Sequence, residues 1–224
     1  MSTSTTKVKT LLLGALIVLG LCVQSNRARA AQTEVLTVAG GCFWCVEADF
    51  ESVKGVTEVI SGYTGGMLEN PTYKDVTAGG TGHYEAAQIY YDPARVSRDT
   101  LLSLFFRSID PLDAGGQFCD RGDSYRTAIF VGSEAERQAA ERAKSDAQKA
   151  LGQAIVTPIL PRKTFYKAED YHQDYYKSDD RLAFSSVGIG VKKSTAYKRY
   201  RKGCRRDDRV RALWGDAAPF AKGH

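Results

Sequence analysis

Histidine and cysteine are scarce in this sequence, which has three histidines and five cysteines among 224 residues. One Cys-x-x-Cys pair occurs, Cys42 with Cys45, but it has no second pair and no His-x-His partner. Structural zinc sites combine such motifs, so the composition argues against a zinc-binding module. Internal repeats, low-complexity tracts and linkers rich in proline or serine are also missing, which favours a single domain.

Long apolar runs are missing too, except near the start of the chain. The run from Leu11 to Val23 is shorter than the roughly 20 residues that cross a bilayer as a stable helix. Lys7 and Lys9 precede it, and Ala28-Arg29-Ala30 follows as a small-x-small cleavage site. This pattern predicts that residues 1–30 are a cleaved secretory signal peptide, and that the mature protein is exported to the bacterial periplasm.

A lipid anchor is the alternative for the same segment, because Cys22 ends the apolar run. A lipoprotein signal requires a small residue before its cysteine, and Leu21 stands there instead. We therefore expect no stable membrane anchor, with a monomer as the default state of the exported protein.

The charge excludes a general affinity for nucleic acid. The formal net charge is +5, but residues 1–30 contain four basic residues and no acidic one, so the mature chain is close to neutral. Positive charge is concentrated between Lys192 and Arg211, where ten basic residues accompany Asp207 and Asp208. Charge alone predicts a solvated tail for this segment.

The order of helix and strand patterns predicts an α/β (α+β) fold, a single-domain two-layer sandwich with a mixed sheet. Ser97 and Ser133 precede amphipathic helices, and Glu136 completes a capping box with Ser133. We assign residues 31–178 to a catalytic domain, which contains long glycine-rich loops at 65–84 and 113–126. Residues 179–224 are predicted to form a C-terminal tail that is irregular apart from a short helix near Arg206 to Leu213. The predicted strands are 33–38, 56–63, 85–91, 127–131 and 155–160, the last at a sheet edge because of Pro158.

The segment from Ala39 to Glu47 is the candidate centre of the protein. A strand, a pair of glycines and a helix pattern follow one another, which places Cys42 at a helix start. The helix dipole there can lower a cysteine pKa from about 8.5 to roughly 3.5–7.5 and make the sulfur a nucleophile. The alternative is a buried structural cysteine beside the aromatic side chains of Phe43 and Trp44.

The two long loops contain the other candidate catalytic and substrate-binding residues. Tyr73 and His83 lie in the first loop, Asp120 and Tyr125 lie in the second, and Glu85 begins the strand after the first. A carboxyl group enclosed by aromatic rings has a raised pKa, so it can act as a general acid. A nucleophilic cysteine beside such an acid suits a reaction in which an oxygen is protonated as sulfur attacks.

Several motifs resemble the A-type peptide methionine sulfoxide reductase family. The resemblance extends from Thr33 to Tyr176, and Gly-Cys-Phe-Trp followed by Gly-His-Tyr-Glu is a specific combination. It implies reduction of methionine S-sulfoxide, free or within proteins, with no cofactor and no metal. The matching segments are Gly41–Trp44, Ser61–Gly66, Asn70–Tyr73, Thr81–Ala86, Tyr91–Pro93 and Gln117–Phe130.

The resemblance also implies roles for the reacting groups. Cys42 would attack the sulfoxide sulfur, and Glu85 would protonate the sulfoxide oxygen. Tyr73 and Tyr125 would donate hydrogen bonds to that oxygen. The attack leaves a sulfenic acid on Cys42, which a second thiol converts to a disulfide.

Four further residues would bind the substrate according to the same resemblance. Phe43 and Trp44 would form the apolar pocket for its terminal methyl group. Asp120 would orient the substrate or its water, and His83 of the Gly-His-Tyr-Glu motif is a further candidate.

The identity of the second thiol stays open, with Cys204 ahead of Cys119 and Cys45. Basic neighbours of Cys204 favour its thiolate, and a mobile tail could carry it to the site. The sequence departs from the commoner Gly-Cys-Phe-Trp-Gly because Cys45 replaces the last glycine, although Cys45 is expected to be packed. The expected partners are methionine sulfoxide and a thioredoxin or thioredoxin-like reductant.

A thioredoxin-like disulfide oxidoreductase is the alternative function. It would use Cys42 and Cys45 as its redox pair, with Thr157-Pro158 as the proline loop that faces them. This alternative leaves Glu85 and the aromatic residues of the loops without a role.

Overall fold

The computed structural model describes residues 33–185 and 188–221, and the described residues from Thr33 onward belong to one compact unit. The predicted signal peptide at residues 1–30 lies outside the described residues and stays a prediction. Among the residues that are described, no helix combines the length and apolar character needed to span a bilayer.

A six-stranded sheet forms the centre of the fold, in the order β7-β6-β1-β3-β2-β8. The central strand β1 pairs in antiparallel fashion with both β3 and β6, so it is covered on both edges. The strands of this sheet are β1 (Glu34–Gly40), β2 (Val56–Thr64), β3 (Tyr84–Tyr91), β6 (Thr127–Val131), β7 (Ile159–Pro161) and β8 (Tyr166–Lys167). In the chain between β3 and β6, β4 (Gly116–Gln117) and β5 (Asp120–Arg121) form a separate small hairpin.

The sheet is mixed because of its edge strand β7. This strand pairs in parallel with β6, with Ile129 opposite Ile159, whereas the other neighbouring strands of the sheet are antiparallel. The carbonyl of Pro158 accepts the Ile129 N–H at 3.0 Å just before β7 begins. Proline lacks an N–H, so the edge is where it disturbs the ladder least, as the sequence predicts.

The described part of the chain contains six α-helices: α1 (Phe43–Glu51), α2 (Tyr73–Ala78), α3 (Arg98–Phe106), α4 (Glu134–Leu151), α5 (Lys193–Gly203) and α6 (Arg206–Trp214). The predicted N-caps are confirmed, because Ser97 and Ser133 accept the N–H groups of Thr100 and Glu136. The predicted capping box is only half formed, because the Glu136 carboxylate accepts the N–H of Gly132 instead of that of Ser133. Helix α4 ends at Gly152, whose φ of 65° lies in the left-handed region. The helix α2 lies within the segment that we predicted to be loop.

The main hydrophobic core joins the sheet to α1, α3 and α4. Leu36, Val38 and Ile89 of the sheet pack there with the apolar side chains of the three helices. The buried helical residues include Val46, Phe50, Leu101, Leu102, Phe105, Phe106, Ala139, Ala140 and Ala147. The structure confirms the predicted fold class, with a mixed sheet and helices in a single domain.

The C-terminal segment corrects the prediction of an irregular, solvated tail. It contains a small hairpin of β9 (Phe184–Ser185) and β10 (Gly188–Ile189) and the helix α5, none of which was predicted. The helix α6 confirms the short helix predicted near Arg206 to Leu213. Val210 and Trp214 of α6 enter the main core. The prediction was wrong because a charge count cannot show that two of the basic residues, Arg201 and Arg206, are buried.

Candidate active site

Cys42 lies at the end of a tight turn between the central strand and α1. Gly41 has a φ of 78°, and a Cβ atom on it would lie 2.5 Å from the Cβ atom of Gln117. Only glycine meets both conditions at this position. The turn makes Cys42 the N-cap residue of α1, which confirms its predicted position at a helix start.

The N-terminus of α1 forms a hydrogen bond with a carboxyl group instead of with the sulfur of Cys42. The N–H of Phe43 donates to Oε2 of Glu85 at 3.1 Å, and the Cys42 side chain makes no capping hydrogen bond. Burial raises the pKa of Cys42 well above its usual value, and the neighbouring Cys45 and the carboxylate of Asp120 raise it further. The prediction of a lowered pKa was therefore wrong for this state, because desolvation outweighs the helix dipole.

Cys45 lies one turn along α1 from Cys42 and is buried, as predicted. A hydrogen bond with Cys42 lowers the pKa of Cys45 to about 7, and the positive charges of Arg206 and Arg201 act in the same direction. The same hydrogen bond raises the pKa of Cys42. Of the two thiols, Cys45 therefore loses its proton more readily than Cys42.

Glu85 is the buried acid that the sequence predicts. It lies near the start of β3, opposite Tyr63 of β2. Burial raises its pKa to about 8, although hydrogen bonds from the Phe43 N–H and from Tyr125 oppose the shift. The carboxyl group is consequently protonated at neutral pH and can donate a proton.

Two phenols stand beside the acid and stay neutral. Tyr73 begins α2 behind a capping box formed by Thr72 and Asp75, and Tyr125 ends the short 3₁₀ turn Asp123–Tyr125. Burial raises the pKa of Tyr73 to about 12 and raises that of Tyr125 further. Both hydroxyl groups are therefore available as hydrogen-bond donors at any pH near neutrality.

These residues line one cavity of about 50 Å³. Phe43 and Trp44 form its apolar wall, and the Trp44 ring is held by a parallel stack on Tyr175 with centroids 3.8 Å apart. His172 packs against the rings of Phe43 and Trp44 and is itself buried. The lining residues are Cys42, Phe43, Trp44, Tyr73, Glu85, Asp120, Tyr125 and Tyr200.

His83 does not line the cavity, which corrects its predicted role in substrate binding. Its Nε2 lies 2.8 Å from the carbonyl oxygen of Leu68, and its Nδ1 accepts the Gly66 N–H at 3.3 Å. The ring therefore fastens the first glycine-rich loop. A histidine in a motif can be present to hold the backbone, and the sequence alone cannot distinguish this from ligand binding.

Tyr200 is a cavity residue that the sequence analysis missed. It belongs to α5 in the tail, and its hydroxyl group donates to the carboxylate of Asp120. Its ring meets Trp44 edge-on, with centroids 6.2 Å apart. The signal in the sequence was weak, because Tyr200 stands among basic residues in a segment that we predicted to be solvated.

Cys204 lies outside the cavity lining and forms a disulfide with Cys119. The two sulfurs and a carboxylate oxygen of Asp120 all lie within 4.8 Å of one another. Asp120 thus connects the disulfide to the cavity. Cys42 and Cys45 are free thiols in this state, so the predicted attack of Cys204 on an oxidised Cys42 stays a prediction.

Comparison with known proteins identifies close relatives of this chain. Residues 34–204 match the family described as peptide methionine sulfoxide reductase. Peptide methionine sulfoxide reductase MsrA 2 of Caulobacter vibrioides is 47% identical over 202 residues, which cover 90% of this chain and 94% of the relative.

Two solved structures resemble the fold. Mxr1 from Saccharomyces cerevisiae in reduced form gives a TM-score of 0.62 at 32% identity, covering 65% of this chain and 85% of that chain. Methionine sulfoxide reductase A of Corynebacterium diphtheriae gives a TM-score of 0.59 at 29% identity, covering 74% of this chain and 85% of that chain.

Proposed function

The chain belongs to the peptide methionine sulfoxide reductase family, and we propose that Cys42 is the residue at which it reduces methionine S-sulfoxide, free or within proteins. The cavity carries this proposal, because it joins the Cys42 sulfur to an acid that stays protonated at neutral pH. The alternative, a disulfide oxidoreductase that cycles Cys42 with Cys45, requires neither Glu85 nor the phenols. The family match and the cavity therefore favour sulfoxide reduction over that alternative.

The reaction begins with proton donation and sulfur attack. Glu85 gives its proton to the sulfoxide oxygen while the Cys42 sulfur attacks the sulfoxide sulfur. Positive charge on the protonated substrate offsets the desolvation that keeps Cys42 protonated in the empty site. The thiol proton leaves as the attack proceeds, and a proton returns to Glu85.

The sulfur–oxygen bond of the substrate then breaks, and the oxygen bonds to the Cys42 sulfur as the bond between the two sulfurs breaks, which leaves Cys42 as a sulfenic acid and the substrate as a thioether. One thiol and one sulfoxide thus become one sulfenic acid and one thioether. Tyr73 and Tyr125 assist as neutral donors to the oxygen while negative charge develops on it. Phe43 and Trp44 hold the methyl group, because an apolar wall favours the small apolar end of the substrate.

Recycling transfers the oxidation from the cavity to the tail. The Cys204 thiol condenses with the sulfenic acid, which releases water and forms a bond between Cys42 and Cys204. The Cys119 thiol then attacks the Cys204 sulfur, which frees Cys42 and leaves the Cys119–Cys204 disulfide. The support for this sequence is the disulfide beside Asp120, together with the free thiol of Cys42.

An external dithiol completes the cycle by reducing the Cys119–Cys204 disulfide. Its chemistry is that of a thioredoxin or thioredoxin-like protein, which becomes oxidised to a disulfide in exchange. The signal-peptide pattern at residues 1–30 supports action outside the cytoplasm, in the bacterial periplasm. Exported proteins damaged by oxidation are then the protein substrates.

A Cys204→Ser variant tests the recycling route. We expect it to form about one methionine per enzyme and then stall when a thioredoxin-type protein is the sole reductant, because no thiol of the tail remains to resolve Cys42. Dithiothreitol should restore turnover by attacking the sulfenic acid directly. Cys45→Ala serves as the matched control and should recycle normally. Normal recycling in Cys204→Ser would exclude Cys204 as the resolving thiol.

A further inference from the structure

Tyr200 belongs to the tail but forms part of the substrate cavity. Its hydroxyl group donates to Oδ2 of Asp120, and its ring stands edge-on to Trp44. Asp120 and Glu85 are the two carboxyl groups that line this cavity. Glu85 is protonated at neutral pH and receives the Phe43 N–H, so Asp120 is the acceptor best suited to an N–H of a bound substrate.

Each partner of this hydrogen bond is tied to one sulfur of the disulfide. Cys119 directly precedes Asp120 in the chain, and its Sγ lies 3.8 Å from Oδ1 of that residue. Cys204 lies one helical turn after Tyr200, and its N–H donates to the Tyr200 carbonyl oxygen at 2.9 Å. A bond between the two sulfurs therefore holds the Tyr200 hydroxyl and the Asp120 carboxylate together at high effective concentration.

We propose that Tyr200 is a redox-controlled gate that competes with the substrate for Asp120. This proposal rests on the proposed substrate-orienting role of Asp120. While the Cys119–Cys204 disulfide is intact, Tyr200 occupies the carboxylate and narrows the cavity. When a dithiol reduces the disulfide, the S–S bond becomes two thiols and the dithiol becomes a disulfide. The covalent tether that holds Tyr200 against Asp120 is then lost, so a substrate N–H can displace the Tyr200 hydroxyl group from the carboxylate.

The gate has a chemical purpose because Cys42 is already a free thiol in the disulfide state. A second sulfoxide could react there while Cys119 and Cys204 are both consumed in their disulfide. The resulting sulfenic acid would lack its resolving partner and would be open to irreversible oxidation to the sulfinic acid. Weak substrate binding in the disulfide state protects the nucleophile until the tail is reduced.

Binding measurements on a Cys42→Ser background test the gate without turnover. The probe is N-acetylmethionine S-sulfoxide methylamide, titrated by calorimetry into the protein with its tail disulfide formed and then into the protein reduced by a phosphine. We expect the affinity to be about tenfold or more higher in the reduced state, because a charged hydrogen-bond acceptor becomes available. Thiol counting confirms each state.

Tyr200→Phe on the same background should bring this affinity ratio close to one, because the hydroxyl group that competes for Asp120 is gone. Tyr197→Phe is the matched control, since Tyr197 lies on the same helix and accepts a hydrogen bond from Arg201 instead. The control should keep the full ratio, which separates the gate from a general loosening of the tail.

Three outcomes would overturn the gate. Equal affinity in both redox states would exclude it and leave the proposed function intact. A full ratio in Tyr200→Phe would exclude Tyr200 as its basis. If the reduced protein failed to bind the probe, both the gate and the proposed function would be wrong.

Discussion

In the cavity, the thiol of Cys42, the acid Glu85 and the phenols keep their protons, whereas in the tail the buried arginines are charged and paired. Burial raises the pKa of Glu85 to about 8 and raises those of Cys42 and Tyr73, so each keeps its proton at neutral pH. In the tail, Arg201 is 3% exposed and its guanidinium lies 2.7 Å from Asp49 and 2.8 Å from Asp207. The cavity therefore suits a neutral substrate and proton transfer, and the tail is attached by ion pairs.

The two regions share the helix α1. Cys42 caps its start, and Asp49 near its end receives Arg201 from the tail. Arg206 is also buried and donates to the carbonyl oxygens of Gly40 and Ser108. The segment that carries Cys204 is thus fixed to the same elements that position the nucleophile, which explains how the disulfide can lie beside the cavity.

Among the predicted changes, removing the nucleophile Cys42 should have the largest effect on activity. Cys42→Ser should abolish sulfoxide reduction, since a serine hydroxyl cannot form the sulfenic acid. The measurement is methionine released in a single turnover with dithiothreitol. Cys45→Ala is the control and should retain the first turnover. Appreciable methionine from Cys42→Ser would mean that another residue is the nucleophile.

Removing the acid group of Glu85 should have the next largest effect on activity. Glu85→Gln keeps the shape but cannot donate a proton, so the single-turnover rate should fall by about 10²–10⁴-fold with little change in substrate affinity. Because the acid form of Glu85 is lost as the pH rises through about 8, the wild-type rate should decline there. The variant should lack this decline.

A change confined to affinity would contradict this role of Glu85. It would make Glu85 a binding residue and place the acid elsewhere. Presteady-state rates at several substrate concentrations and pH values distinguish the two outcomes.

Breaking an ion pair of the tail should have a smaller effect, seen in stability. Arg201→Met leaves Asp49 buried without its nearest cation and should cost about 3–5 kcal/mol in the free energy of unfolding. Urea denaturation measures the change. The matched control is Arg205→Met, because Arg205 is exposed and its pair with Asp208 should be worth less than about 1 kcal/mol. Equal losses in both variants would refute the contrast between buried and exposed pairs.

The cavity was largely predictable because its signals are local. Gly41 and Cys42 define the turn, and Glu85 is the last residue of the Gly-His-Tyr-Glu motif. The neighbouring residues in the chain therefore already indicate the environment of these side chains. The pKa of Cys42 was not predictable, since it depends on burial and on carboxyl groups brought from β3 and β5. The role of His83 was also hidden, because its partners lie in the loop at Gly66 and Leu68.

The tail was poorly predictable because its contacts are remote in sequence. Arg201 pairs with Asp49, which is 152 residues away in the chain, and Tyr200 contacts Asp120, which is 80 residues away. A run of basic residues is typical of a solvated surface, so composition gave no sign that two of its members are buried. The sequence indicated Cys204 as the redox residue of the tail but could not place it beside Cys119.

Trapping disulfides during a single turnover tests whether Cys42 in the cavity and Cys204 in the tail form one redox relay with Cys119. Fully reduced enzyme receives one equivalent of a methionine S-sulfoxide peptide without reductant, is quenched with an alkylating agent, and is mapped by peptide mass. The relay predicts a Cys42–Cys204 bond at early times and a Cys119–Cys204 bond at late times, with Cys42 alkylated. Accumulation of a Cys42–Cys45 bond, with Cys119 and Cys204 remaining as free thiols, would contradict it.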